Sequence, residues 1–337
     1  EADVAFDPGL TAVLGPNGQG KTNLLEAIGY LATLSSFRGA PNEALIRAGA
    51  ERAIVRAEAE RAGRELLLEA ELVAGGRNRT QLNKQPLRRA RDLLGALRVT
   101  VFSPDDLSLV KGSPGDRRGY LDDTLISLHP RYDEMRTDLD KVLRQRGALL
   151  KQAGGRLTPE VELTLDVFDA KLVSAGEALA SARRNLVAAL EPLLGAAYDA
   201  VAQRSAEVRA SYEPAWMADG LAAALVAARR DDLRRGVSTV GPHRDDLELT
   251  IGTLPSRTHA SQGEQRSLAL ALRLAAHHVV TEQTDSSPVL LLDDVFSELD
   301  PDRSDALLRS LPEGQTILST ASGLPPGVDP GAIVRVA

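Results

Sequence analysis

The feature that most constrains the fold is a glycine-rich loop near the start of the chain. Residues 15–22 read Gly-Pro-Asn-Gly-Gln-Gly-Lys-Thr and fit the pattern G-x-x-x-x-G-K-[ST]. The apolar run Leu10–Leu14 before the loop predicts a buried strand, and an apolar face from Thr22 to about Leu31 predicts a helix after it. Strand, loop and helix in this order are the context that the pattern requires. The sequence therefore favours an α/β fold with a phosphate site at the end of this strand.

The residue types in the loop suit a nucleoside triphosphate. Glycines let the backbone N–H groups turn towards the α- and β-phosphates, and the helix that follows adds its positive N-terminal dipole. Lys21 is expected to contact the β- and γ-phosphates, and Thr22 to ligate Mg²⁺. We therefore predict ATP and Mg²⁺ as ligands, with the phosphates held by Gly15, Pro16, Asn17, Gly18, Gln19, Gly20, Lys21 and Thr22.

Two aspartates late in the chain can complete this site. The apolar run Val289–Leu292 predicts a strand that ends at Asp293 and Asp294. Because ligands bind at the carboxyl ends of parallel strands, we expect Asp293 to hold Mg²⁺ through water and Asp294 to orient or deprotonate the attacking water. A pair of helix-capping aspartates is the alternative interpretation. Two carboxylates at the end of a buried strand are, however, costly without a cation.

A third stretch, Ser261–Glu264, has the form S-x-G-E and precedes a predicted helix of roughly 20 residues. The Ser261 hydroxyl, the Gly263 N–H and the helix N-terminus form a second anion site. A capping box between Ser261 and Glu264 would produce the same pattern. Beside a phosphate loop, we predict that this stretch caps the γ-phosphate of a second copy through Ser261, Gln262, Gly263 and Glu264. Ser297–Asp300 has the spacing of a loop that touches the partner, so Asp300 is included in the shared site.

Composition excludes several other classes of protein. The 337 residues suffice for two domains or for one large domain with an insertion. Cysteine is absent, which excludes disulfides, zinc thiolates and cysteine nucleophiles, and the five histidines lack metal-ligand spacing. No apolar run approaches the roughly 18 residues that span a bilayer, so we expect no membrane contact and a cytoplasmic location. Only fourteen residues precede Gly15, and we expect one or two further strands upstream.

Sequence patterning divides the chain into a head and an insertion. Alternating residues between 52 and 102, with a turn at Gly75-Gly76, predict an antiparallel β layer. Long helical patterns follow: one over Arg131–Gln152, and one from the cap Thr158 to about Leu194. They predict a short helical hairpin. We therefore predict an ATPase head from residues 1–115 and 236–337, interrupted by a mostly helical domain over residues 116–235.

Four motifs in combination point to a family. They are residues 15–28 with the phosphate loop, Phe102–Leu107 (FSPDDL), Lys111–Pro114 followed by Arg117 and Arg118, and Gly241–Leu247 (GPHRDDL). Together they resemble the ABC-type ATPase heads of the SMC and Rad50 superfamily, and within it the RecF family of bacterial recombination mediators. The resemblance covers nearly the whole chain. It implies a mixed sheet with helices, an antiparallel β layer and a helical second domain.

The resemblance also implies a function. Family members are expected to form homodimers on ATP, to hydrolyse ATP weakly with stimulation by DNA, and to bind DNA at single-stranded gaps. With RecO and RecR they would help to load RecA for gap repair and the SOS response. Residue by residue, the resemblance assigns phosphate contacts to Gly15–Asn23, Mg²⁺ to Asp293, water positioning to Asp294, and the contact across the dimer to Ser261 and Gly263.

Some positions depart from the general ABC pattern. Asp294 stands where most such ATPases carry Glu, and its shorter side chain is consistent with slow hydrolysis. No histidine follows Thr316–Thr320, where transporter ATPases have a switch residue, and no glutamine near Ser103–Asp106 can serve as a γ-phosphate sensor. A transporter ATPase subunit and a P-loop kinase remain the alternatives. The missing Glu and His disfavour the first, and a kinase does not need Ser261–Glu264.

Binding to DNA requires cationic side chains on one face. The net charge is −7, which argues against nucleic acid on all sides but permits a local basic surface. Aromatic residues are only 3%, so contacts to the DNA backbone are favoured over base stacking. Arginine and lysine clusters are the candidates, although each alone is also typical of a solvated helix face: Arg88, Arg89, Arg91, Lys111, Arg117, Arg118, Arg144, Arg146, Lys151, Arg229, Arg230, Arg234 and Arg235.

Overall fold

The structure, a computed structural model, describes residues 2–61, 63–202, 204–321 and 323–336. The strands in this part of the chain are β1 (Leu10–Leu14), β2 (Arg52–Arg61), β3 (Arg64–Val73), β4 (Arg79–Leu82), β5 (Gln85–Pro86), β6 (Val99–Phe102), β7 (Val208–Ser211), β8 (Glu248–Ile251), β9 (Leu254–Pro255), β10 (Val289–Asp293), β11 (Thr316–Thr320) and β12 (Ala332–Arg335). The α-helices are α1 (Lys21–Thr33), α2 (Ser108–Lys111), α3 (Pro114–Leu128), α4 (Arg131–Ala153), α5 (Pro159–Ala202), α6 (Leu221–Arg235), α7 (Ser256–His259), α8 (Gln262–Thr284) and α9 (Pro301–Ser310).

Five parallel strands form the central sheet, in the order β12-β1-β11-β10-β6. Its inner strands are near-continuous apolar runs, as expected when both faces of a parallel sheet are covered. Ala12, Leu291 and Leu318, on three different strands, are fully buried. The ends of β1 and β10 meet at one edge of the sheet, separated only by β11. The predicted α/β class is confirmed, and the strands predicted before the phosphate loop and before Asp293 are both present.

Two antiparallel sheets complete the β structure. One has the order β2-β3-β4-β5 and confirms the antiparallel layer predicted after residue 52. The prediction was wrong for the end of that stretch, because residues 99–102 form β6 and pair in parallel with β10. A short apolar strand gives no signal of its partner, since its pattern suits either kind of sheet. The other sheet has the order β7-β8-β9.

The predicted helical hairpin consists of α4 and α5. Gly154 ends α4 with a left-handed φ of 55°, and the Thr158 hydroxyl accepts a hydrogen bond from the Val161 N–H at the start of α5. Helix α5 has 44 residues, a length of about 66 Å, and ends at Ala202 rather than near Leu194. Beyond the predicted end its apolar face continues, because Tyr198 and Val201 are buried.

Buried arginines join the helices and correct part of the DNA prediction. Arg146 of α4 is fully buried, donates to Asp169 of α5 at 2.7 Å and to Asp232 of α6 at 2.6 Å, and so links three helices. Arg117 holds both carboxylate oxygens of Asp246 at 2.7 and 2.8 Å. Both guanidinium groups are buried and paired with aspartates, so Arg117 and Arg146 are not available as candidates for phosphate contacts. Arg229 is likewise largely buried against Asp166 and Asp169.

Helix α8 lies at the centre of the molecule and packs against α5, α3 and β6. Leu268, Leu272 and Ala275 are fully buried in its apolar cluster, and the Tyr120 hydroxyl donates to the Leu272 carbonyl at 2.7 Å. The N-terminus of this helix carries the predicted Ser261–Glu264 stretch. Within the described ranges, none of the helices combines the length and the apolar character that crossing a membrane requires.

Candidate nucleotide site and signature loop

The phosphate loop connects β1 to α1, as the sequence predicts. Gly18 and Gly20 have φ values of 84° and 93°, a left-handed conformation that favours glycine. Gly15 is required for another reason: a Cβ there would stand 2.2 Å from the carbonyl oxygen of Val336. The loop is therefore shaped by glycine at three positions. Gly20 occupies the N-cap position of α1, so the free N–H groups of the first helical turn face the loop.

Lys21 points into the loop. Its side chain is buried, and Nζ donates to the carbonyl oxygens of Gly15 at 2.7 Å and Pro16 at 2.9 Å. A buried ammonium group needs such partners. These two contacts hold the charge of Lys21 at the concave side of the loop, where it can interact with a bound anion.

Thr22 and Asp293 meet although they are far apart in the sequence. The Thr22 hydroxyl donates to Asp293 Oδ1 at 3.0 Å, and the Ser319 hydroxyl donates to the same oxygen at 2.7 Å. Hydroxyl and carboxylate oxygens are the ligands that Mg²⁺ prefers, and one carboxylate completed by phosphate oxygens is a common magnesium site. The donor set therefore fits the predicted ion. Ser319 was not predicted from the sequence. It lies near the end of β11, and only the strand order shows that β11 stands between β1 and β10.

Asp294 has an unusual conformation. Its φ is 51°, in the left-handed region, and its N–H donates to the Ser319 carbonyl and hydroxyl, each at 3.2 Å. Its Oδ1 is buried and accepts no hydrogen bond from the described residues. The helix-capping alternative does not hold for this pair, since neither side chain caps the short helix that follows. A carboxylate with a free oxygen beside Asp293 can hold a water molecule.

The signature loop, defined here as Ser261–Glu264, begins α8. Its capping box is present: Glu264 Oε2 accepts from the Ser261 N–H at 2.8 Å and from the Ser261 hydroxyl at 2.7 Å, and the Glu264 N–H donates back to Ser261 Oγ at 3.3 Å. The hydrogen bonds from Ser261 lower the pKa of Glu264. Gln262 and Gly263 form the first turn, and the guanidinium group of Arg303 lies against Gly263.

A short segment connects the two parts of the candidate site. Residues 294–300 lead from the end of β10 to Asp300, whose carboxylate caps α9 by accepting from the Arg303 N–H at 2.9 Å. Glu298 forms an ion pair with Arg266 of α8 at 2.8 Å. Across the described residues, no hydrogen bond or ion pair joins the signature loop to Gly15–Thr22. The segment therefore runs from the aspartate pair to the element beside the signature loop.

A cavity of about 420 Å³ opens beside the loop, between α1 and the sheet that contains β2. Asn23, Glu26, Arg38 and Asp105 supply its polar lining. The Ser36 hydroxyl donates to Glu26, and Arg38 lies 3.8 Å from the same carboxylate. Sequence reasoning missed Glu26, Ser36 and Arg38, because nothing in the order of residues places the connection after α1 near the loop. The Asp106 carboxylate, by contrast, accepts a hydrogen bond from the Arg273 guanidinium group at 2.7 Å.

The GPHRDD motif forms a turn held by buried charges. The Asp245 carboxylate accepts hydrogen bonds from the Tyr212 hydroxyl at 2.7 Å and from the Trp216 ring N–H at 2.8 Å. No role for His243 or Arg244 follows from the sequence; in the structure both contact the carbonyl oxygen of Ser238. The motif is thus a turn held by hydrogen bonds from Arg183, Tyr212 and Trp216, all within residues 116–235.

Fold and site together define a class. A parallel sheet with a phosphate loop after one strand, an aspartate pair at the end of another, and a signature loop at the start of a central helix is the arrangement of an ABC-type ATPase head. Residues 1–320 match the family described as RecF/RecN/SMC N terminal domain.

Comparison with known proteins narrows the class to one family. The chain is 44% identical to the DNA replication and repair protein RecF of Streptomyces avermitilis over 336 residues, which cover 95% of this chain and 89% of that protein. It is also 44% identical to the RecF proteins of Beutenbergia cavernae, with the same coverage, and of Kineococcus radiotolerans, covering 94% and 87%. The chain belongs to the RecF family.

Solved structures agree with this assignment. A structure described as the recombination mediator protein RecF-ATP in the RecFOR pathway superposes with a TM-score of 0.90 at 29% identity, covering 99% of this chain and 91% of that one. Its ATPrS counterpart gives a TM-score of 0.89 with the same identity and coverage. An Smc head bound to the C-winged helix domain of ScpA has a TM-score of 0.52 at 20% identity, with coverage of 94% and 83%, and shares the fold alone.

Proposed function

We propose that this protein is an ATP-dependent DNA-binding recombination mediator that dimerises when ATP is bound. One observation carries the proposal: a formed phosphate loop and a signature loop occur in one chain, with no hydrogen bond or ion pair between them in the described ranges. Each is half of a triphosphate site. A second copy, related by two-fold symmetry, can supply the missing half to both chains.

ATP is the proposed nucleotide, with Gly15–Asn23 around its phosphates. The RecF-ATP structure among the similar proteins supports this choice. Thr22 and Asp293 would hold Mg²⁺, which would neutralise part of the phosphate charge. Asp294 would orient the attacking water through its free carboxylate oxygen. Because Asp reaches less far than Glu, we propose a weak ATPase whose hydrolysis resets the dimer, with stimulation by DNA.

DNA is the proposed macromolecular ligand, bound at single-stranded gaps. After the buried arginines are set aside, the remaining candidates include side chains that are exposed and form no ion pair in the described part of the chain: Arg88, Lys111, Arg144, Lys151, Arg230 and Arg235. Such cations suit contacts to the phosphate backbone. Membership of the RecF family supports further proposals: action in the cytoplasm with RecO and RecR, loading of RecA, gap repair and SOS induction.

We also propose that residues 116–235 act as the inserted helical domain between the two halves of the head. Helices α3 to α6 make up most of this segment. Strand β7 lies within it and pairs with β8 beyond residue 236, so the segment and the head share one small sheet. Movements of the two parts would then be coupled.

The DNA-binding function is tested by measuring affinity for gapped DNA with and without ATP, between about 50 and 200 mM salt. We expect tighter binding with ATP and a steep loss of affinity as salt rises, because phosphate contacts release counterions. The Lys21→Ala variant is the control, and its affinity for gapped DNA should be the same with and without ATP. Equal affinity of the wild-type protein in both conditions would contradict the proposal.

A further inference from the structure

Arg303 lies directly against the signature glycine. Its Nη2 and Nη1 atoms stand 2.7 and 2.9 Å from the position that a Cβ of residue 263 would occupy. A side chain at position 263 would displace the guanidinium group from this place. Arg303 belongs to α9, which follows the 294–300 segment, so the approach is made by a residue from outside the signature loop.

A cation beside the signature loop would offset the charge of Glu264 when a phosphate binds there. The Glu264 carboxylate lies within hydrogen-bond distance of both Ser261 groups, and the pKa of Glu264 is lowered, so the side chain is ionised at neutral pH. A negative charge at this point repels a phosphate. The Ser261 hydroxyl hydrogen is also directed at Glu264 and must turn away before it can bind an anion.

Arg303 is placed to provide that charge. Its Nη1 pairs with the exposed carboxylate of Asp300, while its Nε is buried and has no hydrogen-bond partner among the described residues. Arg204 and Arg303 are the two cations that act on Glu264 electrostatically. Arg204 is exposed, whereas Arg303 is held against Gly263. A guanidinium group also matches the geometry of a phosphate with two parallel N–H donors.

We propose that Arg303 contacts the γ-phosphate of the ATP bound in the phosphate loop of a second copy, and makes dimerisation depend on triphosphate rather than diphosphate. The inference rests on the proposed function, because it requires the shared site. In the single chain, Asp300 and the phosphate compete for the same guanidinium group. Formation of the dimer would move Arg303 from Asp300 to the γ-phosphate, and would free Asp300 to face the partner.

The test is sedimentation of the Arg303→Gln variant with ATP and with ADP. Loss of one charge-assisted hydrogen bond weakens each site by roughly 10-fold, and a symmetric dimer has two sites, so the dimer dissociation constant with ATP should rise by about 100-fold. Arg303→Lys should recover part of this loss because it keeps the charge. Arg309→Gln changes an exposed arginine of the same helix and should dimerise like the wild type.

Nucleotide binding to the single chain separates the inference from the proposed function. The Arg303→Gln variant should bind a fluorescent ATP analogue at its own phosphate loop with unchanged affinity, which also shows that it is folded. If wild-type protein dimerises with ATP but not with ADP, and Arg303→Gln does so equally well, the role of Arg303 is refuted and the shared site stands. If the wild-type protein shows no ATP-dependent dimer, the proposed function itself fails.

Discussion

At the scale of single residues, Lys21 is the side chain on which nucleotide binding depends most. Its ammonium group is buried and held at the concave side of the loop by two carbonyl oxygens. Lys21→Ala removes the only charged donor of the loop, and we expect ATP binding to be lost. Calorimetric titration with ATP measures this. Arg309→Ala, an exposed arginine of α9 outside the loop and its cavity, is the comparison and should bind ATP like the wild type. Binding that survives Lys21→Ala unchanged would contradict the assignment.

His277 predicts a pH dependence of stability. Burial, with a smaller effect of His278, lowers the pKa of His277 to about 4, from 6.5 in the unfolded chain. The unfolded state therefore binds the proton more tightly, so the full stability is present above about pH 6.5 and falls as the pH approaches 4. At pH 5 the loss should be about 2 kcal/mol relative to pH 7.

Urea unfolding at pH 7 and pH 5 tests this effect. In His277→Gln the decrease in the free energy of unfolding between the two pH values should be smaller than in the wild type by about 2 kcal/mol. The exposed His259→Gln serves as the control and should keep the wild-type decrease. An identical decrease in all three proteins would show that His277 is not protected from protonation.

Residue types and spacing predicted the phosphate loop and the aspartate pair, because each motif has a local context that can be read along the chain. The arginines were less predictable. Arg117 and Arg146 have the same surroundings in sequence as exposed arginines, yet both form internal ion pairs with aspartates that are distant in the chain. An arginine can bind a ligand only if no aspartate within the protein pairs with it. A single sequence does not show which aspartates do so.

At the scale of elements, the helical segment depends on one buried ion-pair network. Arg146 connects α4 with α5 and α6 through Asp169 and Asp232, and its side chain is 0% exposed. Arg146→Met would leave Asp232 without its charge partner in the interior. Breaking a buried pair in this way costs about 3–5 kcal/mol.

The matched control for this network is Arg144→Met, two positions away on the exposed face of α4. Urea titration at pH 7 should show the large decrease in the free energy of unfolding for Arg146→Met and a change within about 0.5 kcal/mol for Arg144→Met. A decrease below about 1 kcal/mol for Arg146→Met would mean that the network contributes little to stability.

Elements with strong periodicity and clear ends were predicted well, among them β1, α4 and α8. The incorrect predictions concern the pairing partner of β6 and the length of α5. Strand β6 is as short and apolar as a strand of the antiparallel layer, and only its pairing with β10 assigns it to the central sheet. Helix α5 extends to Ala202 rather than to about Leu194, because tertiary packing buries Tyr198 and Val201, and such packing is absent from the local pattern.

At the scale of the whole molecule, the arrangement of the two half-sites determines how the protein would work. The segment 294–300 joins the aspartates of one half to the region of Arg303 and the signature loop in the other. Under the proposed function, nucleotide bound at one surface would influence the surface offered to a second copy. ATP would drive dimerisation by binding more tightly to the dimer than to the single chain.

The most direct test of the shared site is sedimentation of three samples with and without ATP: Ser261→Arg, Lys21→Ala, and an equimolar mixture of both. Ser261→Arg should bind ATP but stay monomeric, because its signature loop is blocked, and Lys21→Ala should stay monomeric because it binds no ATP. In the mixture, the phosphate loop of Ser261→Arg and the signature loop of Lys21→Ala can together form one intact site. An ATP-dependent heterodimer is therefore predicted. A Ser261→Arg protein that dimerises with ATP as tightly as the wild type would contradict the account.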